Sequence, residues 1–269
     1  MGFLERTLAG FLGAVEHALE AEDLARRNGL LQRLDPRIKV LGILALIIAA
    51  ATSHKLWVIG TLFAIALIGA ISSGIPPVLL ARRVWIPVLV FTGIIALPAP
   101  FVIAGREVGR LPVLGWTLTA QGLLSAAYLI SRVLTAATLS VLLILSTPWT
   151  RVLKALRVLR VPVVLVVILG MVYRYIFLLL DSARDMLESR RSRMVGELSG
   201  PDRRRLAAAS VGVLMSKTLQ LSGDVYSAMV ARGFRGEVYL LDDFHAGALD
   251  WMMLAVFAAL AAGAIYLGR

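Results

Sequence analysis

The stretch IKVLGILALIIAAATSHKLWVIGTLFAIALIGAI, residues 38–71, decides how the chain is read. Two apolar runs, 38–51 and 56–71, are separated only by Thr52, Ser53, His54 and Lys55. About 20 apolar residues are needed to cross the hydrocarbon core as a helix. Each run is therefore a somewhat short span, and the pair forms a tight hairpin. Lipid offers the backbone no hydrogen bonds, so such runs are helices that satisfy themselves internally. Three more runs follow, at 84–104, 119–145 and 249–267, which gives five crossings. Pro87, Pro98 and Pro100 predict kinks or an unwound end in the third.

Composition agrees. Of 269 residues, 59% are apolar and only 17% charged, with a mean hydropathy of +0.82. A soluble domain carries about 25% charge and less than half apolar residues. An ordinary soluble enzyme is excluded, and the fold class is an all-α integral membrane protein. The absence of cysteine excludes disulfides and thiolate metal sites. His17, His54 and His245 lie far apart and suggest no metal cluster. Methionines such as Met186, Met194, Met215 and Met229 fall on amphipathic helices, where packing is their expected role. The reading assigns no catalytic residue, resident metal or cofactor.

The net charge of +11 is threaded between the apolar runs instead of forming one basic module, which argues against nucleic acid as a partner. Arg26, Arg27, Arg33, Arg37 and Lys39 precede the first span, Arg82 and Arg83 follow the second, and Arg151, Lys154, Arg157 and Arg160 follow the fourth. The opposite loops hold only His54 and Lys55, then Arg106, Glu107 and Arg110. By the positive-inside rule the N-terminus is cytoplasmic, and five crossings place the C-terminus outside. Residues 1–28 are broken by Glu5, Glu16, Glu20, Glu22 and Asp23, so they are expected to form an amphipathic helix and not a secretory signal. In the last span Ala255, Ala259 and Gly263 offer a small-residue stripe for close packing.

The chain thus divides into an N-terminal amphipathic cytoplasmic segment (1–37), four membrane helices (38–145), a cytoplasmic, partly membrane-associated helical insert (146–248) and a last membrane helix (249–269). Pro148, Pro162 and Pro201 mark helix starts within the insert. A short basic amphipathic helix is expected over 149–160, a long helix over 162–194 whose first half sits in or against the membrane, and a third over 205–232. The two long helices end alike, in Ser189-Arg190-Arg191 and Ala231-Arg232-Gly233. A small residue allows close approach, Arg offers a planar fork suited to a carboxylate, and Gly233 can close a helix. Cations favour helix C-termini in any case, but two such ends point to docking.

Four segments carry a resemblance to a known family: Leu31-Gln32-Arg33-Leu34-Asp35-Pro36-Arg37-Ile38-Lys39, Ser146-Thr147-Pro148-Trp149, Leu169-Gly170-Met171-Val172-Tyr173-Arg174-Tyr175-Ile176-Phe177 and Ala228-Met229-Val230-Ala231-Arg232-Gly233-Phe234. The chain resembles the transmembrane (T) component of energy-coupling factor ABC transporters, of the CbiQ type that serves cobalt or nickel uptake. The resemblance implies a prokaryotic plasma-membrane location. It also implies as partners a CbiO-like ABC ATPase dimer and a CbiM-like substrate-binding membrane subunit with a small CbiN-like companion. Two Ala-Arg-Gly-like tips on coupling helices would seat in the ATPases. Arg232 matches the second tip, whereas Ser189 and Arg191 replace the small residues around Arg190 in the first, which leaves both Arg190 and Arg191 as candidates for that contact. A vitamin transporter of the same type is an alternative cargo reading, and a membrane insertase or scaffold is an alternative class.

The chain has no Gly-x-x-x-x-Gly-Lys-Ser/Thr segment, so it must borrow ATP energy by contact. Arg132 falls near the middle of the fourth span. An intramembrane charge is costly and marks a candidate functional site. The structural alternative is a side chain that faces the bundle and bonds to carbonyls or a polar group.

Overall fold

The computed structural model describes residues 13, 20, 22–27, 29–103, 106–110, 117–158, 161–193, 199–235 and 247–268. The expected N-terminal amphipathic helix falls almost entirely outside them. The chain divides into two compact units: Glu22–Ala155 with Phe244–Arg269, and Met1–Ala21 with Leu156–Asp243.

In the first unit, helix α1 (Pro36–Thr52) begins where Asp35 caps it. The Asp35 carboxylate accepts from the Arg37 N–H at 2.9 Å, and Pro36 fills the first turn, where no N–H is needed. Helix α2 (Leu56–Ser72) returns after the three-residue connection Ser53–Lys55. Helix α3 (Pro77–Val102) contains a π-helical turn at Ala81–Trp85, just before Pro87. Proline has no N–H and its ring clashes with the preceding turn. The wider turn accommodates both by shifting the bonding to Ile86 N–H with the Ala81 carbonyl. A small antiparallel ribbon, β1 (Glu107–Arg110) with β2 (Thr117–Thr119), then leads into α4 (Ala120–Ser146). The sequence reading gave no hint of this ribbon. Helix α5 (Trp149–Val158) follows, and α8 (Ala248–Gly268) completes the unit.

The core joins α1, α2, α4 and α8 through Ile43, Leu46, Ala49, Val58, Leu62, Leu139, Phe257 and Ala261. Close approach needs small residues. A Cβ on Gly42 would come within 2.3 Å of the Phe257 ring, so only glycine lets α8 lie this near α1. The packing stripe of α8 is Asp250, Phe257, Ala261, Ala264 and Gly268. The stripe read from sequence is not the packed one: Ala255 and Ala259 are exposed and Gly263 is half-buried. Small residues recur all round this helix, so its rotation is set by the Phe257–Gly42 fit and by Asp250.

In the second unit, α6 (Val163–Arg193) and α7 (Gly200–Ala231) pair as an antiparallel hairpin. Lys217 Nζ donates to Ser182 Oγ at 2.8 Å, and Arg190 Nη1 donates to the Leu206 carbonyl at 3.3 Å. The numbers run in opposite senses along the two helices, as antiparallel pairing requires. Ser199 caps α7 by accepting from the Asp202 N–H, with Pro201 in its first turn.

By length and composition four helices can cross a membrane: Pro77–Val102, Ala120–Ser146, Val163–Arg190 and Ala248–Gly268. The protein is therefore an all-α membrane protein. Helices α1 and α2, of 17 residues each, are the short hairpin expected. The apolar half of α6 is the least covered, with only 6% of its most apolar window buried.

Candidate functional site

The two arginine tips lie on the α6–α7 hairpin, at opposite ends of it. Arg190 is half-buried at the end where the chain turns, held to the Leu206 carbonyl. Ser189 beside it is exposed, and Arg191 continues the helix. Arg232 stands at the far end of α7, roughly 40 Å from the level of Leu206 at 1.5 Å per residue.

The second tip is built by a specific helix stop. Gly233 adopts φ +86°, a left-handed conformation in which a side chain would be strained. It lets the Gly233 N–H donate to the Val230 carbonyl at 2.9 Å and the Phe234 N–H to the Met229 carbonyl at 3.0 Å. These are the two bonds of a Schellman stop, and Met229 and Phe234 supply its apolar contact by lining one groove. Ala231, Arg232 and Gly233 are all exposed. Among the described residues the Arg232 guanidinium has no partner, so its planar fork is presented unspent to whatever docks. The groove between the helices is an open apolar channel of about 700 Å³, lined by residues such as Ile168, Tyr175, Leu221, Val225 and Met229.

In the bundle, the structure joins two of the motifs. Lys39 is 1% exposed. Its ammonium donates to the Ser146 carbonyl at 2.9 Å and to Thr147 Oγ1 at 2.7 Å, and among the described residues no carboxylate lies within ion-pair range. The start of α1 is thus pinned to the end of α4. Nearby, Asp250 Oδ1 accepts from the Asp35 N–H at 2.8 Å while its Oδ2 accepts from the Gly247 N–H at 2.9 Å, which ties α8 to the start of α1. Sequence reasoning missed this pin, because a lysine in the first turn of an apolar helix reads as a flanking cytoplasmic charge.

Arg132 takes the structural alternative. Its Nε donates to the Ser53 carbonyl at 3.2 Å, and its Nη2 donates to the same oxygen. The guanidinium also lies 5.9 Å from the Tyr128 ring centroid, a cation–π contact. Among the described residues no group of three or more His, Cys, Asp or Glu could hold a metal ion.

Comparison with known proteins agrees with this architecture. The family model described as "Cobalt transport protein", CbiQ, matches residues 27–240. An uncharacterized protein of Methanocaldococcus jannaschii is 33% identical over 239 residues, covering 87% of this chain and 81% of that one. The cobalt transport protein CbiQ of Rhodobacter capsulatus is 27% identical over 185 residues, covering 67% of this chain and 75% of that one. The matched region takes in the pinned α1–α4 junction and both arginine tips, and the chain belongs to the CbiQ cobalt transport protein family.

Proposed function

We propose that this chain is the coupling subunit of an energy-coupling factor ABC importer in the prokaryotic plasma membrane, with its N-terminus cytoplasmic. It carries ATP-driven motion from two cytoplasmic ATPases to a substrate-binding membrane subunit, with cobalt or nickel as cargo. The observation that carries this reading is the Arg232 tip, held out by the Gly233 stop with its fork unspent, with Arg190 and Arg191 at the other end of the same hairpin. Two separated cationic tips on one hairpin suit two copies of an ATPase, each offering an acidic groove.

The rigid hairpin turns closure of the ATPases into a tilt. The family description and the name of the Rhodobacter relative support cobalt as cargo. In this reading the partner subunit holds the cargo, and no group of three or more His, Cys, Asp or Glu is found among the described residues.

The test is co-purification of the tagged chain with its ATPases, together with uptake of labelled cobalt by the reconstituted complex. Arg190→Ala/Arg232→Ala should abolish both while leaving the bundle folded. A fully active double variant would sink the proposal.

A further inference from the structure

A second polar site lies inside the bundle, away from the arginine-rich connections. His54, Ser125, Tyr128, Leu129 and Arg132 line an open cavity of about 340 Å³, within the range of small-molecule sites. Its depth follows from register. The same number of residues separates Lys39 from Ser53 on α1 as separates Arg132 from Ser146 on α4, about 21 Å of helix in each case. Lys39 meets Ser146 at one end and Ser53 meets Arg132 at the other, so the cavity sits at the α1–α2 connection, level with the middle of α4.

The lining is cationic and rich in donors. Arg132 spends Nε and Nη2 on the Ser53 carbonyl, which fixes the guanidinium and leaves Nη1 without a partner. Arginine can only donate, so the His54 Nδ1 that lies 3.5 Å from Nη2 faces it as an acceptor. A ring that accepts at Nδ1 has its N–H on Nε2, which makes it a second donor. The Tyr128 hydroxyl has no partner among the described residues and is a third. The Ser125 hydroxyl donates to the Gln121 carbonyl at 2.9 Å and keeps lone pairs only. Among the described residues no carboxylate pairs with Arg132 or His54. A fixed arginine with an open edge, halfway along the membrane-spanning α4, offers an anion from outside the chain a place to dock. Three donors on three side chains suit a tetrahedral oxyanion, with one oxygen for each, better than a planar carboxylate.

The geometry points to this cavity as a binding site for a phosphate oxyanion. The phosphate comes from a phospholipid headgroup or from free phosphate. The lipid source fits the surroundings, since Leu123, Leu124 and Leu129 beside the cavity are exposed and offer an acyl chain a bed.

The test uses the full-length protein, delipidated in neutral detergent. Its melting temperature is titrated separately with dihexanoyl phosphatidylglycerol and with inorganic phosphate. Wild type should show a saturable upward shift. Arg132→Gln should weaken the apparent affinity by roughly tenfold or more, and Tyr128→Phe by roughly threefold. Arg151→Gln, at the basic end, should leave it unchanged. Tyr128→Phe keeps the Arg132–Ser53 anchor and so decides the matter even if Arg132→Gln fails to fold. Saturation by the lipid alone assigns a headgroup site, and saturation by inorganic phosphate assigns a free-ion site. No saturable shift with either probe, or equal affinities in wild type and Tyr128→Phe, overturns the proposal.

Discussion

Lys39 and Thr147, 108 residues apart, meet at 2.7 Å in a fully buried contact that fastens the first turn of α1 to the end of α4. Thr147 opens the connection to α5, so the contact lies where membrane helix gives way to insert. A buried lysine head group is tolerated where hydrogen bonds replace the water it has lost.

This makes a sharp mutational prediction. Thr147→Val leaves the buried ammonium with the Ser146 carbonyl alone and should destabilise by about 2 kcal/mol. Lys39→Met/Thr147→Val removes the charge as well and should recover part of that loss, because the burial cost of the charge goes with it. Thermal melting of the three proteins in detergent checks the order. A double variant less stable than Thr147→Val would refute it.

The α1–α8 contact supplies a second test. Gly42→Ala drives a methyl into the Phe257 ring and should cost about 1–3 kcal/mol by overpacking. Phe257→Ala should relieve that clash, so the double variant should be more stable than the sum of the two single losses. A double-mutant cycle measures this coupling directly.

Gly233→Ala should strain the stop of α7 by about 1–2 kcal/mol, because φ +86° is unfavourable for any residue with a Cβ. The last turn should fray and Arg232 should lose its fixed presentation. Hydrogen exchange at Gly233 and Phe234 should rise, and ATPase co-purification should fall, while Gly233→Asn should be milder.

The two arginines should behave differently in isolation. Arg190 is bonded to the Leu206 carbonyl, whereas Arg232 touches nothing described. Arg190→Ala should loosen the turn end of the hairpin, and Arg232→Ala should leave it unchanged. The chain has no cysteine, so paired cysteines at exposed positions on α6 and α7 can carry spin labels without background. Their distance distribution should broaden only for Arg190→Ala.

Much of the fold was legible because lipid makes a span announce itself as an apolar run, although Val163–Arg190, the most apolar of the four candidate spans, reads in sequence as part of the insert. The hairpin at 38–71, the proline-marked helix starts and the Arg-Gly stop all rest on local rules that hold without knowledge of partners. What failed depended on tertiary register. Lys39 looks like a flanking charge until α4 is laid beside it. Ala255 and Ala259 look like a packing face until Gly42 and Phe257 fix the rotation of α8. Arg132 was visible as an anomaly, but its partner is the carbonyl of Ser53, a backbone atom that no side-chain pattern reveals.

The lengths of α1, α2 and α4 have a consequence for the surrounding lipid. Seventeen residues reach only about 26 Å, below the ~30 Å thickness of a hydrocarbon core. The 27 residues of α4 reach about 40 Å. Where α1 and α2 cross beside α4, a bilayer meeting both has to thin next to the short pair, as hydrophobic mismatch requires. Such a dimple over the Ser53–Lys55 tip would bring water and headgroups down toward a guanidinium that a membrane of even thickness would strand.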